Sequence, residues 1–239
     1  PMFAPYEPDS GNYNNDYLDD RDGNCSNRDT RNQTEEERQE NACKYYGERP
    51  SGDHGPNYRC DPRPLLALTS TEAQVLSAIN NMQAQGNTNI MEGVMWGWRV
   101  LSPEEPFTEG RPYTETDNRK FMIVMSDGAN THNGASNQNM SRYSAFGYSK
   151  NGRLRSPTSS TNSLVEAMNT KTLEGCNNAK ASEITIFTIA FNVNDQDTVN
   201  MLRNCASGNS RAFTIDNGSA LVAVFEAIAN ELNRLRITS

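Results

Sequence analysis

A carboxylate at the end of an apolar run is the first feature in this sequence with chemistry in it. Lys120-Phe-Met-Ile-Val-Met-Ser-Asp-Gly-Ala-Asn130 passes from a charged residue through five apolar ones to a hydroxyl, an aspartate and a glycine. The run predicts a strand buried on both faces, as in a parallel sheet. Asp127 then stands at the carboxyl end of that strand, where open α/β sheets place their ligands. Thr88, in the Gly86-Asn-Thr88 loop before a helical pattern, is a second oxygen donor that folding could bring alongside. Hydroxyls and carboxylates arriving from separate loops suit a hard cation such as Mg²⁺ or Mn²⁺, which prefers oxygen and keeps some water. Thr88 and Asp127 are the candidate ligands, and Ser126, Gly128 and Asn130 are the residues around them. Two plainer readings stand beside this one. Thr88 could simply cap the following helix, and Asp127-Gly128 could be a turn. A hydrolase or phosphotransferase using Asp127 and His132 is a further reading. Catalysis, however, needs several titratable groups together, and the neighbours of Asp127 are mostly Ser, Thr and Asn. No Gly-x-Ser-x-Gly nucleophile motif is present.

The elements that must position these groups begin at Leu65. Thr69 and Glu72 fit a capping box, followed by Val75, Leu76, Ile79 and Met82 on one helix face, with Gly86 as the stop. A second helix carries Ile90, Val94, Trp98 and Leu101 on one side and ends before Pro103 and Pro106. Trp96 and Trp98, two residues apart, face different sides. The Asp127 strand follows a loop over residues 107–119. A long polar stretch over 129–160 predicts a binding surface or a disordered segment, and a loop histidine there, His132, predicts a surface position. A helix over 162–181, a strand over 183–191 and a short helix capped by Asp197 come next. A weaker strand over 211–215 precedes a terminal amphipathic helix with Leu221, Val224, Phe225, Ile228, Leu232 and Leu235 on one face. Strands alternating with helices predict an α/β fold with a doubly wound, mostly parallel sheet flanked by helices. Three strands against about five helices leave surfaces uncovered, so strands are expected to be missing from the amino-terminal side.

Residues 1–62 are of another kind: rich in Asn, Asp, Gly, Pro and Tyr, without a hydrophobic period, and strongly acidic. They read as a long irregular insertion over a domain spanning 63–239. A polar helix is expected over 34–46, and Asp20-x-Asp22-Gly23-Asn24 reads as a turn, because the other calcium-loop ligands are absent. The 239 residues are 35% hydrophobic and carry a formal charge of −8. That balance argues against capture of nucleic acid or of an anionic membrane surface. No stretch approaches the roughly 20 apolar residues of a membrane span. The five cysteines, Cys25, Cys43, Cys60, Cys176 and Cys205, lie at no zinc-ligand spacing from one another or from His54 and His132. Disulfides in an oxidising compartment fit better. Cys176 and Cys205 could meet at one edge of the sheet as a pair, or remain buried thiols.

Gly86-Asn-Thr88, Gly93 with its helix, and an apolar strand ending Ser126-Asp127-Gly128 resemble the second and third metal motifs of a von Willebrand factor A domain. The family's first motif, Asp-x-Ser-x-Ser, is found nowhere in these residues, which fits a portion lying after the domain's early strands. Trp96-Gly-Trp-Arg-Val-Leu-Ser-Pro103, the stretch over 120–130, Cys205-Ala-Ser207 and Ile228-Ala-Asn-Glu-Leu-Asn-Arg-Leu-Arg236 resemble the carboxyl-terminal part of TadG-like proteins of bacterial Flp (tight adherence) pilus assembly. The likeness covers about residues 60–239. It implies an extracytoplasmic binding or adhesion module, non-enzymatic, held in the cell envelope by an anchor upstream of these residues. It further implies a metal-ion-dependent adhesion site (MIDAS) in which Thr88 and Asp127 share Mg²⁺ or Mn²⁺ with a partner's carboxylate. Without the first motif, the site is expected to be half-built here. The implied partners are pilus-assembly proteins or a surface ligand. The competing expectation is a structural component of the same machinery that does not depend on metal.

Overall fold

The computed structural model describes residues 63–84, 86–136, 139–155 and 157–237. The turn at Asp20, the helix over 34–46 and Cys25, Cys43 and Cys60 lie outside them. The apolar run Ile184–Phe191 forms the middle strand, β2, of a three-stranded sheet. Lys120–Ser126 is β1 and Ala212–Ile215 is β3. The order is β1-β2-β3 and both pairings are parallel, with Lys120 opposite Ile184, Ser126 opposite Ala190, and Phe191 opposite Ile215. The helices are α1 (Glu72–Asn80), α2 (Ile90–Leu101), α3 (Thr161–Ala181), α4 (Gln196–Cys205) and α5 (Gly218–Ile237).

Because side chains alternate across a strand, β2 supplies two cores. Ile184, Ile186 and Ala190 meet Ile90 and Val94 of α2, Cys176 and Ala179 of α3, and Val199 and Leu202 of α4. Phe187 and Ile189 face the other way, toward Val224 and Ile228 of α5. Helices therefore cover both faces of the sheet, as a parallel sheet requires. Glycines bring the first layer close: a β-carbon on Gly97 would lie 2.8 Å from the Met122 sulfur, and one on Gly175 would lie 3.2 Å from that of Met95.

β1 departs from the expectation of burial on both faces. Met122 and Val124 point into the first core, but Ile123 is 40% and Met125 53% exposed. The cause is the strand's place at the edge: its only pairing among the described residues is with β2, and α5 packs over Phe187 and Ile189 instead. α1 also has no buried residue, although Val75, Leu76 and Ile79 share its apolar side. Leu65, Leu66 and Leu68 just before it are also exposed.

Helix ends differ in detail from expectation. Thr71, not Thr69, is the N-cap of α1 and makes no side-chain cap bond; Thr69 instead accepts from the Thr71 N–H (3.1 Å) and donates to Gln74 (2.8 Å). Asp195, not Asp197, caps α4 by accepting from the Thr198 N–H at 2.7 Å. Capping residues are common in both sequences, and only the backbone path selects one. On α5, Leu221, Val224, Ile228 and Leu232 contribute to the core, whereas Phe225 lies to one side of that stripe and is exposed. The side chain of Leu235 is outside the described set. Arg211 belongs to a short 3-10 turn before β3, and its guanidinium holds Glu231 of α5 at 2.6 Å.

Lys120, the charged residue that opens β1, is buried. Its ammonium donates to the carbonyls of Leu101 and, at 2.6 Å, Arg111, and lies 4.4 Å from the Tyr113 ring centroid. Burial pushes this ammonium below the ordinary lysine range, and Glu115 partly offsets that. Trp98 packs against the first core, while Trp96 meets the edge of Phe107 at 6.3 Å.

These elements belong to one compact unit: Leu65–Asn81, Asn87–His132 and Asn162–Ser239. Asn133–Thr161 falls in a second unit and is more ordered than a polar loop predicts. Gly134 and Ser141, and Ser144 and Gly147, form antiparallel bridges. Phe146, Tyr148 and Leu154 are buried, and the Ser149 hydroxyl both donates to and accepts from the Thr158 backbone (2.7 and 2.8 Å). A β-carbon on Gly134 would fall 1.9 Å from the Ser159 carbonyl oxygen, so only glycine fits. Short polar side chains fold this stretch by bonding its backbone, a mode without hydrophobic periodicity.

Cys176 on α3 and Cys205 at the end of α4 form a disulfide, with Cα atoms 5.2 Å apart and a sequence separation of 29. Lys180 adds to this junction by donating to the carbonyls of Asn204 (3.0 Å) and Ala206 (3.4 Å). Closing a loop of that length should contribute about 3–4 kcal/mol through the unfolded chain. A Cys176→Ala/Cys205→Ala variant is expected to lose that much in urea unfolding. A loss below about 1 kcal/mol would show that the cross-link is not a main constraint.

Candidate metal site at the end of the first strand

The candidate ligands sit on two loops tied together at the carboxyl end of β1. The Thr131 N–H donates to the Thr88 carbonyl at 3.0 Å. The side chain of Asn130, 2% exposed, accepts from the Ile90 N–H at 2.8 Å. This second bond satisfies one of the donors left open at the start of α2. The Asn130 amide also donates to Asn169 Oδ1 at 2.8 Å, and it lies 3.4 Å from the Thr172 hydroxyl and 3.8 Å from the Met201 sulfur. One side chain thus joins the loop after β1 to α2, α3 and α4.

Within this frame the sequence-derived residues divide by role. Ser126 is buried, and its hydroxyl is used locally, donating to the Gly128 carbonyl (2.8 Å) and accepting from the Gly128 N–H (3.3 Å). It shapes the turn. Asn130 is engaged with α2 and α3, so it positions the loop. Thr88 does not cap α2: the N-cap is Asn89, whose side chain accepts from the Glu92 N–H at 3.2 Å. The Thr88 hydroxyl makes no hydrogen bond among the described residues. It faces the Asp127-Gly128 turn, 3.9 Å from where a β-carbon on Gly128 would stand. Asp127 is exposed, and its carboxylate makes no hydrogen bond or ion pair among the described residues. The geometry therefore leaves one hydroxyl and one carboxylate unengaged on adjoining loops.

As a cation site this set is partial. Both groups are hard oxygen donors of the type Mg²⁺ or Mn²⁺ takes. Yet among the described residues no three His, Cys, Asp or Glu side chains gather where a metal could be held. His132 is 2% exposed, buried rather than on the surface as a loop histidine predicts. The positioning roles of Asn89, Asn130, Asn169 and Thr172 were not predicted. Asn89 was findable, as an asparagine directly before an apolar-periodic run. The Asn130 bonds span 40 and 39 residues of sequence and leave no local signal.

The two threonine-loop roles separate by mutation. Asn130→Ala strands the buried Ile90 N–H and is expected to cost about 1–3 kcal/mol of stability. Thr88→Val, which removes a hydroxyl without a partner, should change stability by no more than about 0.5 kcal/mol. Equal losses in urea unfolding would make Thr88 a structural residue.

No protein-family model matches the chain, and no curated protein does. Among solved structures it is similar to the vWF domain of the type V pili tip protein Mfa5 from Porphyromonas gingivalis, with 15% identity, 74% of this chain and 77% of that one covered, and a TM-score of 0.49. It is also similar to the pilus adhesin SpaC from Lactobacillus rhamnosus GG in its open conformation, with 14% identity and a TM-score of 0.42. That match covers 70% of this chain and 21% of the adhesin.

Proposed function

We propose that this chain is the carboxyl-terminal portion of a von Willebrand A-type binding module, non-enzymatic, in a TadG-like Flp pilus-assembly protein. It makes a divalent-cation-dependent contact with a protein partner. The observation that carries this reading is the pair of unengaged oxygen donors, Thr88 and Asp127, on loops that Asn130 and Thr131 fasten together. Structural hydroxyls and carboxylates in such loops normally bond nearby backbone. Here Ser126 and Asn89 do that, and Thr88 and Asp127 are left over. The place of β1 at the edge of the sheet, paired only with β2 among the described residues, supports the second half of the reading. A further strand pairing there would end beside Asp127 and could bring the remaining ligands, in the way the resemblance assigns to Asp-x-Ser-x-Ser. The metal would then hold a partner's carboxylate at an open position.

The cysteine pair suits an extracytoplasmic location. No helix among the described residues is long and apolar enough to cross a membrane. The catalytic reading gains no support: His132 is buried while Asp127 faces solvent. One observation favours a metal-independent structural module instead, namely the lack of a third titratable ligand among the described residues.

Titration with Mn²⁺ distinguishes the two. In the metal-dependent reading, paramagnetic broadening centres on the amides of residues 88 and 127–130 and is lost in Asp127→Asn. Broadening that is equal in both proteins, or spread over the acidic surface, would favour the structural module.

A further inference from the structure

A cavity lies at the end of the sheet opposite the Thr88 and Asp127 loops. β1 spans seven residues, so its start is about 20 Å from Asp127. Near that start, the carboxyl end of α2 and the loop leading to β1 enclose about 340 Å³ lined by Met95, Trp98, Tyr113, Glu104, Glu105 and Arg99. That volume is at the small end for ligand sites, suited to one long side chain rather than a cofactor. A hydrogen bond from the Trp98 indole N–H to the Tyr113 hydroxyl, 3.2 Å, fixes the two rings as a wall. Beside it stand two carboxylates, Glu104 and Glu105, which make no ion pair among the described residues. Among the described residues lining the cavity, the one cation is Arg99, against the two carboxylates of Glu104 and Glu105; its guanidinium stacks on Trp96, 4.6 Å from the ring centroid. Lys120 is likewise held, by two carbonyls and the Tyr113 ring. An adjoining cavity shares Tyr113 and Ser182 and is mixed in charge, with Glu183, Glu115 (paired with Arg111 at 3.6 Å), Arg119 and Lys120.

We propose that this groove takes a lysine or arginine side chain from an extended segment of a protein partner. The chemistry selects that occupant. Aromatic and methionine surface accepts the alkyl stem of a basic side chain, ring faces attract its cation, and unpaired carboxylates at the rim complete the charge match. An acidic or neutral side chain would leave Glu104 and Glu105 unmatched. This contact is independent of the metal site, and its charge requirement is the reverse: a base here, a carboxylate there.

The test uses a Gly/Ser nonapeptide with three alternate lysines, beside its norleucine and glutamate counterparts, followed by the Trp98 indole N–H resonance. A saturable shift is expected with the lysine peptide only. Glu104→Gln/Glu105→Gln should weaken it roughly tenfold, equivalent to one good charge contact. Asp216→Asn/Glu226→Gln removes the same charge elsewhere on the surface and should leave affinity within about twofold. An unchanged free spectrum in each variant verifies the fold. The proposal is overturned if no saturable shift occurs, if the norleucine or glutamate peptide does as well, or if the control pair weakens binding as much.

Discussion

The amide of Asn130 is the interaction on which the candidate site depends. It accepts from the first N–H of α2 and donates toward α3, and it does so without exposure to water. In a low-dielectric interior an amide satisfied on both sides is favourable, and one left half-satisfied is costly. The loop after β1 consequently has few alternatives. Once Asn130 is seated, Thr131 reaches the Thr88 carbonyl, and the hydroxyl of Thr88 is set against the Asp127-Gly128 turn. Precision at the candidate site comes from a residue that would not itself hold the metal.

A second constraint is that a parallel sheet needs cover on two faces and company at its edges. β2 has both. Among the described residues β1 has one partner strand, with one buried face and two large apolar side chains exposed on the other. α1 and the leucines before it repeat the pattern. The exposed Ile123 and Met125 lie on the strand that ends at Asp127. Incomplete cover and an incomplete ligand set thus occur on the same strand. That coincidence is why we read the site as one shared with another strand rather than as a failed one.

Much of the architecture was legible in the sequence because it rests on periodicity. The three strands and four of the helices after Leu65 fall within a residue or two of where apolar spacing puts them; the first helix ends six residues short of Gly86. Cys176 and Cys205 were recognisable as possible partners from their places relative to strand and helix, and they do pair. Legibility failed where side chains bond backbone rather than bury apolar surface. The fold of Asn133–Thr161, held by Ser141, Ser149 and Gly134, has no period to read. Cap residues were misassigned for a related reason: Thr69 and Thr71, or Asp195 and Asp197, are equivalent until the chain's path is known.

The sequence by itself determined that an aspartate would end a strand of a parallel α/β sheet, with a threonine loop upstream at a helix start. Local apolar runs and helical spacing are enough for that, since each is a property of consecutive residues. Only the tertiary structure decided that Thr88 is released from capping while Ser126 and Asn130 are consumed by the loop. The same holds for His132, which is buried, and for β1, which among the described residues stands at the sheet's edge. These outcomes depend on which donors and acceptors meet across some 40 residues, and on which strand lacks a neighbour. Such competition is settled by packing, and no single stretch of sequence contains both competitors.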